Sequence, residues 1–379
     1  MKILHSAFVS WDEPGILRQT QWEEEAAKAL GLNWKSVLYV PLSSRLSGPS
    51  VVKSHVSLSA RGLKLGSHLI YWVRLRRAYY RWLHEQSQDY DAILLRHSTH
   101  DPFRLGFLKK CRVPVFSVHH TLEVPEIHGT KSWSTEFKAV AEAYWGGRGI
   151  ERATGVIGVT SEIVEYELNR TNASDKLAFV YPNGVYFNEA EIQNLRDRRS
   201  LSTPEILFVA SSFSPWHGLD ILLKSVSESD DEFVLHLVGK ISNADKVAAL
   251  KDSRIVLHGL CDQDKISDLS ERAWVGLSSF ALERKSMKQA CTLKVREYLL
   301  RGVPVYAGYD DVFPEGFCGY RKGPASVSLI LNYTREIRHI SRLDVVREAE
   351  PFISKERLVE GLSNWLDEHL KTDAPVWRS

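Results

Sequence analysis

The most chemically suggestive part of the sequence is residues 278–308, where a basic loop precedes a short apolar segment. The apolar residues repeat with helical spacing, and Lys294 and Glu297 share a narrow polar stripe of the predicted helix. Free amides at a helix N-terminus, a hydroxyl and flanking cations together form a site for an anion such as a diphosphate. We expect this anion site to consist of the basic run Arg284, Lys285 and Lys288 and the first-turn residues Ala290, Cys291 and Thr292.

Glu297 lies further along the same polar stripe. There its carboxylate can accept hydrogen bonds from the hydroxyl groups of the molecule that carries the phosphates. The alternative is that Lys294 and Glu297 pair with each other at i, i+3 on a solvated helix face. The sequence leaves both interpretations open.

The elements that position this segment follow from the order of predicted strands and helices. A chain of 379 residues suits two α/β domains of similar size. Short apolar strands alternate with helical segments, which is typical of parallel, doubly wound sheets. We predict a first domain over residues 1–188 and a second over residues 189–354, with a polar interdomain linker within residues 186–204.

Composition excludes several classes of protein. The 49 basic and 47 acidic side chains nearly cancel, which argues against a dedicated nucleic-acid binder. Four cysteines without CxxC spacing indicate free cytosolic thiols. The first residues begin a strand without a signal peptide, and no apolar run approaches the ~20 residues of a spanning helix, so we expect a cytoplasmic protein.

A pair of histidines follows the predicted strand 113–118. Because ligands of parallel sheets gather at the carboxyl ends of strands, we expect His119, His120 and Glu123 to face a ligand, with Glu123 either orienting an acceptor hydroxyl or simply solvated. Paired histidines also suggest a metal ion. No third His or Cys stands at ligand spacing beside them, so we predict no metal site.

Residues 61–84 interleave arginines with tyrosines and tryptophans and contain no acidic residue. This pattern fits docking to an anionic membrane surface. Two alternatives remain open, namely a packing helix with solvated arginines and a groove for an acidic glycan.

The second half of residues 278–308 resembles the nucleotide-sugar signature of retaining glycosyltransferases of family 4. Their pattern is Glu, seven residues, Glu, a short apolar helix and Gly-x-Pro-Val. Here Glu297-Tyr-Leu-Leu-Arg-Gly-Val-Pro-Val supplies the second half, and Gln289 stands where the first Glu is expected. Pro-Asn-Gly-Val at 182–185 and Trp-His-Gly at 216–218 also resemble family motifs, so the similarity extends over most of the chain.

The resemblance implies the GT-B fold, in which two Rossmann-like doubly wound parallel-sheet domains face a central cleft. It also implies that a C-terminal helix at about 355–379 packs back on the first domain. The implied activity is metal-independent transfer of a sugar, with retained configuration, from a nucleotide-diphosphate sugar to a glycan or lipid-linked saccharide. Bacterial surface polysaccharide biosynthesis at the inner face of the plasma membrane would be the setting, with no cofactor and no nucleic-acid partner.

The resemblance also implies roles for single residues. His119 lies beside the donor sugar, with His120 as the alternative, and His217 replaces a family lysine that holds the diphosphate. Because a neutral or half-protonated imidazole supplies less positive charge than lysine, we expect Lys294 to provide more of the charge that stabilises the diphosphate. The other implied donor contacts are Gly15, Ser212 in place of an arginine, Gly239, Gly259, Leu260, Gln289 and Glu297.

Two other functions stay open from the sequence. One is a nucleotide-sugar epimerase or hydrolase on the same architecture. The other is a binding protein whose catalytic site has decayed. Gln289 and Ser212, which replace family residues, support this alternative, whereas the presence of Lys294 and Glu297 argues against it.

Overall fold

The computed structural model describes residues 1–57, 65–128, 133–171, 173–199 and 202–371, which form two compact units. The first unit contains residues 1–182 together with the C-terminal helix Lys355–Lys371, and the second unit contains residues 183–354. Residues 183–188, which we assigned to the first domain, therefore belong to the second unit.

The first unit is built on a seven-stranded parallel sheet. Its strands are β1 (Ile3–Phe8), β2 (Trp34–Val40), β3 (Val51–Lys53), β4 (Ala92–Arg96), β5 (Val115–His119), β6 (Gly155–Gly158) and β7 (Leu177–Val180). Their order in the sheet is β3-β2-β1-β4-β5-β6-β7. The helices between them are α1 (Pro14–Ala29), α2 (Leu65–Gln86), α3 (Phe103–Lys110), α4 (Glu123–His128), α5 (Trp133–Arg152) and α6 (Ser161–Asn169), with a 3₁₀ turn at Ser87–Asp89.

The second unit repeats this plan with six parallel strands. They are β8 (Glu205–Ser212), β9 (Val234–Lys240), β10 (Ile255–Gly259), β11 (Val275–Leu277), β12 (Val305–Ala307) and β13 (Tyr320–Lys322), in the order β10-β9-β8-β11-β12-β13. The helices are α7 (Glu189–Gln193), α8 (Leu219–Ser227), α9 (Asn243–Ala249), α10 (Gln263–Arg272), α11 (Leu293–Leu300), α12 (Val327–Ile337) and α13 (Arg342–Ile353). The helix Lys355–Lys371, α14, packs against α1 of the first unit.

Both sheets have a point where the chain reverses its direction of winding. It lies between β1 and β4 in the first unit and between β8 and β11 in the second. The carboxyl ends of the two strands beside such a point form the crevice in which doubly wound proteins bind ligands. In the second unit these ends lead into two 3₁₀ turns, Pro215–His217 and Leu282–Lys285.

The first sheet carries helices on both faces, so its strands are apolar on both sides. One face packs Leu4, Ile93 and Leu95 against α2, and the other packs Ile3 and Leu94 against α1 and α14. The one-residue alternation of a strand produces this division. The predicted doubly wound parallel architecture is confirmed for both units. Among the described helices, none is both long and apolar enough to cross a bilayer.

The segment 61–84 of the sequence analysis corresponds to α2, and its residues 61–64 lie outside the described part of the chain. Most of its aromatic side chains face inward: Tyr79 and Tyr80 are buried, and Tyr79 donates to or accepts from Ser6 Oγ at 2.9 Å. Arg76 is also buried, beside Asp101 at 3.1 Å and over the Phe8 ring at 4.1 Å. The packing-helix interpretation therefore accounts for this half of α2.

A buried carboxylate on α1 ties three strands of the first unit together. Glu23 accepts hydrogen bonds from His5 Nδ1 at 2.6 Å, from Trp34 Nε1 at 3.0 Å and from Ser36 Oγ at 2.8 Å. Its second oxygen accepts from Tyr181 OH at 3.0 Å, just beyond β7. Although burial alone would raise the pKa of Glu23, the nearby His5 and these donors lower it to about 2.

We expect Glu23→Gln to reduce the free energy of unfolding by about 2–3 kcal/mol at pH 6. Because the folded pKa lies below the unfolded value, the contribution is complete above about pH 4.5 and is lost as the pH falls toward 2. Urea unfolding at pH 6 and pH 3 measures this. Glu25→Gln, at an exposed position of the same helix, is the control, and an equal loss at both pH values would contradict the assignment.

Candidate functional site

Helix α11 forms the centre of the candidate site in the second unit. Because α11 joins the parallel strands β11 and β12, its first turn lies at the carboxyl edge of the sheet. Tyr298 fixes the helix to that sheet, because its hydroxyl accepts a hydrogen bond from Val209 N at 2.9 Å. Its ring packs directly on Gly276 of β11, where an added Cβ atom would lie only 2.6 Å from the ring. The helix is shorter than predicted, eight residues instead of about ten.

The N-terminus of α11 is not capped by its own side chain. Thr292 is the N-cap residue, but its hydroxyl lies 3.2 Å from Tyr309 OH and caps no amide. Tyr309 OH in turn lies 2.8 Å from Ser278 Oγ. The hydroxyl of Thr292 therefore stays at the edge of the sheet, and the first amides of the helix keep their capacity to bind an anion.

Two predicted contributors to the anion site are engaged within the second unit. The Ala290 amide donates to Asp310 O at 3.1 Å, so it is not the free donor that we expected. Cys291 holds the chain at Asn183, whose amide N donates to Cys291 Sγ at 3.0 Å and whose Nδ2 donates to Cys291 O at 2.6 Å. The anion-binding prediction thus rests on Thr292 and the residues after it.

Lys294 has a buried ammonium group without a partner. Its Nζ makes no hydrogen bond to any described residue and lies 5.5 Å from the centre of the Phe208 ring. Burial lowers the pKa of Lys294 to about 7. Because Lys294 forms no bond to Glu297, the i, i+3 pairing interpretation is wrong, and an unpaired buried cation favours an anionic ligand.

His217 is held as a neutral hydrogen-bond donor at the end of β8. Its Nδ1 accepts from Ser214 N at 2.9 Å, which places the proton of the neutral ring on Nε2. Burial, together with the neighbouring Lys294 charge, lowers the pKa of His217 to about 3. The imidazole therefore contributes an N–H donor and no charge, and the half-protonated form considered above does not apply.

Arg284 and Lys285, two cations of the basic run, differ in their surroundings. Arg284 forms a bidentate pair with Asp220, with both N–O distances at 2.9 Å, and also donates to Pro215 O at 2.8 Å. Lys285 Nζ lies 4.6 Å from the centre of the Trp216 ring. The charge of Arg284 is largely offset by Asp220, so Lys294 is the main source of unpaired positive charge among these residues.

The remaining predicted donor contacts lie at several strand ends and on α11. Gly239, in β9, has φ +133°, and a Cβ there would stand 1.7 Å from Ala210 O, so this close strand approach requires glycine. Gly259 has φ +66° in open space, and Leu260 after it is 63% exposed. The other positions are the exposed Ser212 at the end of β8, the half-buried Glu297 on α11, and the half-buried Gln289, which forms a short bridge with Asp310.

The sequence analysis missed a buried ion pair on α11. Arg296 is fully buried and donates to both oxygens of Asp311, at 2.6 and 2.5 Å. Its Nε also donates to Asn183 O at 3.1 Å. A cation on the apolar side of a short buried helix was the available signal, but its partner cannot be read from spacing.

In the first unit, His119 is buried in the interior. Its Nε2 lies 2.5 Å from Ser117 Oγ and its Nδ1 lies 2.9 Å from Glu123 Oε1. Glu123 is itself buried at the start of α4, so neither residue is solvated as a loop group would be. His120 is half-buried, and its Nε2 accepts from Arg96 at 2.7 Å. His120, the alternative candidate, is therefore the more accessible of the two histidines for the expected ligand contact.

His119 belongs to a buried polar network that the sequence did not indicate. His97 stacks on His119 with ring centroids 4.5 Å apart, and its Nε2 lies 2.8 Å from Glu142 Oε1. Arg104 bridges His97 Nδ1 and Ser117 Oγ, both at 2.5 Å. These partners are contributed by β4, α3, β5 and α5, so only the fold brings them together.

Two carboxyl groups in this network have raised pKa values. Burial raises the pKa of Glu123 to about 7 and that of Glu167 to about 8. Arg170 Nε donates to Glu167 Oε2 at 2.8 Å, whereas Glu123 Oε2 and Glu167 Oε1 have no hydrogen-bond partner among the described residues. Burial of these two oxygens favours the neutral form of both groups.

The network places His97 beside His119 and Glu123, so that His97 becomes a third possible metal ligand, which the sequence did not reveal. The arrangement of these three residues nevertheless does not fit a metal ion. The ligand atoms of the three residues lie within 4.8 Å of one another. However, the two imidazole planes are only 24° apart in a stacked pair, so their in-plane lone pairs do not converge on one point. Arg104 also occupies His97 Nδ1 with a cationic donor.

Gly15 lies within the first turn of α1, because that helix begins at Pro14 instead of near residue 17. Nothing stands within 4 Å of where its Cβ would be. The protein itself therefore does not require glycine here, and a phosphate contact at Gly15 stays a prediction.

No protein-family model and no curated protein matches the sequence. Solved structures match nearly the whole chain. Sucrose-phosphate synthase from Thermosynechococcus elongatus superposes with a TM-score of 0.65 at 15% identity, covering 98% of this chain and 100% of that one. HepE of Anabaena in complex with UDP and glucose gives 0.62 at 15% identity, covering 97% and 100%.

The lipopolysaccharide outer core galactosyltransferase WaaB gives 0.62 at 11% identity, covering 97% of this chain and 100% of that one. The chain has the GT-B fold. A weaker match, with a TM-score of 0.54 at 12% identity, is a putative UDP-N-acetylglucosamine 2-epimerase from Listeria monocytogenes, covering 98% of both chains. At these identities the similarity establishes the fold and leaves the reaction to be argued from the residues.

We expect Lys294→Met to stabilise the ligand-free protein by about 2–4 kcal/mol at pH 6, because it removes a buried charge without a partner. The folded pKa of Lys294, about 7, lies below the unfolded value of 10.5, so the gain shrinks as the pH rises between these values. Denaturant unfolding at pH 6 and pH 9.5 measures it. Lys224→Met, at a lysine 75% exposed, is the control, and destabilisation at Lys294 would show that its ammonium has a partner.

Proposed function

We propose that the protein is a retaining glycosyltransferase similar to those of family 4. It transfers a sugar from a nucleotide-diphosphate sugar to a glycan or a lipid-linked saccharide. The observation that carries this proposal is the unpaired ammonium of Lys294 at the first turn of α11, beside the winding reversal of the second sheet. A strongly anionic group is the ligand that such a site stabilises.

The proposed reaction breaks the bond between the anomeric carbon and the diphosphate oxygen. The acceptor hydroxyl forms the new bond and gives its proton to the departing diphosphate oxygen, and the nucleoside diphosphate leaves with the bonding electrons. Negative charge grows on the leaving oxygen, so oriented donors nearby lower the barrier. Lys294, the Nε2–H of His217 and the first amides of α11 are these donors in our proposal.

We propose that no metal ion assists this step. Lys294 carries the charge that a divalent ion supplies in other transferases, and binding of a diphosphate favours its protonated form. Thr292 and Lys285 add a hydroxyl and a second cation at the same edge. Arg284 has a smaller role in this scheme because Asp220 already holds it.

The remaining donor contacts complete the proposal. Glu297 accepts hydrogen bonds from the ribose hydroxyls, and Gln289 binds the donor sugar. The loop at Gly259 and Leu260 meets the nucleotide base. We infer that the nucleotide is UDP, because HepE, one of the matching structures, is described in complex with UDP and glucose. On the acceptor side, His120 is the candidate contact in the first unit.

We also propose that the first unit docks on an anionic membrane surface, where a lipid-linked acceptor would be found. Residues 69–74 of α2 and 137–144 of α5 expose apolar side chains, and exposed cations accompany them, including Arg74 and Lys138. The apolar residues and their exposed fractions are Leu69 63%, Ile70 60%, Phe137 73%, Val140 68% and Tyr144 54%. Both helices pack against α3, so these segments belong to one side of the unit. Bacterial surface polysaccharide synthesis at the inner face of the plasma membrane fits this arrangement.

We expect one class of nucleotide-diphosphate sugar to raise the melting temperature by about 5 °C at a hundredfold excess over Kd, with no magnesium present. UDP-, GDP- and ADP-sugars are compared by differential scanning fluorimetry in EDTA. Glu297→Ala should abolish the shift because it removes the ribose acceptor. Glu283→Ala, an exposed glutamate of the preceding loop, should retain it.

A strict magnesium requirement for stabilisation would contradict the metal-independent site. The same samples separate transfer from the alternative reactions, since a transferase consumes donor only when an acceptor saccharide is added. Consumption or isomerisation of the nucleotide sugar alone would instead identify a hydrolase or an epimerase. Absence of stabilisation by any of the three classes would favour the decayed binding protein.

The membrane proposal predicts binding to vesicles that contain phosphatidylglycerol and little binding to pure phosphatidylcholine. Phe137→Ser with Val140→Ser should lower the partition coefficient about tenfold in co-sedimentation, because two exposed apolar groups are removed. Val247→Ser with Leu250→Ser is the matched control, with the same i, i+3 spacing and similar exposure in the second unit. Unchanged binding of the first variant would contradict the assigned surface.

A further inference from the structure

The loop after β4 contains a histidine that the sequence analysis did not consider. β4 lies beside β1, at the winding reversal of the first sheet, so residues 97–101 follow a strand end where ligands of such sheets bind. His100 occupies this loop with φ +45°, in the left-handed region. Residues other than glycine seldom adopt this conformation, which costs on the order of 1 kcal/mol, although histidine, asparagine and aspartate adopt it more often than the others.

A buried carboxylate holds this strained position. His100 N donates to Glu142 Oε2 at 2.5 Å. Glu142 is fully buried and is fixed through its other oxygen, which lies 2.8 Å from His97 Nε2 and 3.5 Å from Arg170. Gly146 leaves the room for this carboxylate, because a Cβ there would stand 2.0 Å from Glu142 Oε1. The buried network therefore fixes the main chain of one partly exposed residue.

The imidazole of His100 contributes little hydrogen bonding to the fold. Its one hydrogen bond to the described residues is long, 3.4 Å from Nε2 to Thr99 Oγ1, and its buried Nδ1 has no hydrogen-bond partner among them. Burial lowers the pKa of His100, so the ring is neutral at pH 7 and can accept a hydrogen bond from a hydroxyl group. Strain at a position whose side chain is poorly bonded indicates a function outside the fold.

The charged groups around His100 come from both flanking helices. Glu142 and Lys138 belong to α5, Arg76 belongs to α2, and Asp101 follows in the chain. The same two helices carry the exposed apolar residues of the proposed membrane surface. A saccharide attached to a lipid would meet both features on one side of the unit.

We propose that His100 is a binding residue for the acceptor, that its imidazole hydrogen-bonds a hydroxyl group of the acceptor saccharide, and that Glu142 is the positioning residue that holds its main chain. This inference rests on the proposed sugar transfer. It adds to that function a specific contact on the first unit, separate from the donor site around Lys294.

His100→Asn tests the proposal, because asparagine accepts the left-handed conformation but lacks the imidazole. We expect its melting temperature to stay within about 2 °C of the wild type and its stabilisation by the nucleotide sugar to be unchanged. The kcat/KM for the acceptor should fall at least about tenfold, mainly through KM, while KM for the donor stays the same. His100→Gly, which removes the strain as well as the ring, should show the same kinetic loss without a loss of stability.

His55→Asn, at an exposed histidine of the same unit, is the control and should leave all four measurements unchanged. Wild-type kcat/KM for the acceptor in both His100 variants would overturn the inference while leaving the proposed transfer intact. A loss of donor-induced stabilisation in both variants would also overturn it, since His100 would then act on donor binding. If the wild type transfers no sugar to any acceptor, the proposed function itself fails, and the inference fails with it.

Discussion

The central constraint on the second unit is the buried ammonium group of Lys294, which has no counter-ion among the described residues. Lys294 Nζ lies beside the Phe208 ring and forms no hydrogen bond with the described residues, so the folded protein keeps a charge that water would solvate better. Its neighbours do not relieve this cost: His217 is neutral and turned to donate, and Thr292 bonds toward Tyr309 and leaves the helix uncapped. Such an arrangement is unfavourable in the empty protein and favourable when an anion enters, which is the usual trade between stability and function at a binding site.

The architecture and the position of the helix that we propose binds an anion were predictable because they depend on local patterns. Strand and helix periodicity led to two parallel doubly wound units, and the basic loop before an apolar helix pointed to α11. The use of single groups was not predictable, because it depends on distant partners. The Ala290 amide is taken by Asp310, and whether Lys294 pairs with Glu297 was settled only by side-chain placement.

The first unit shows the same limit more strongly. A strand places alternate side chains on opposite faces, so the sequence could bring His119 and His120 to the strand end without deciding which of them points inward. His119 is buried beside Glu167, whose Oε2 lies 3.6 Å from its Nδ1, and beside His97, which pairs with Glu142. Both glutamates lie on later helices of the chain. In the same way, Arg76 can be buried within a basic helix only because Asp101 approaches it after folding. Buried charge is the feature that sequence patterns represent least well, since a charged residue is normally assigned to the surface.

The return of the C-terminal helix to the first unit has a consequence for the order in which the protein folds during synthesis. Val359, Leu362 and Leu366 of α14 pack on the same apolar face as Ile3, Leu94 and Phe116, so that face stays uncovered until α14 has left the ribosome. The second unit lies wholly within residues 183–354 and is synthesised before α14. The first unit is therefore begun before the second and completed after it, and in the interval it exposes a hydrophobic surface of the kind that promotes aggregation.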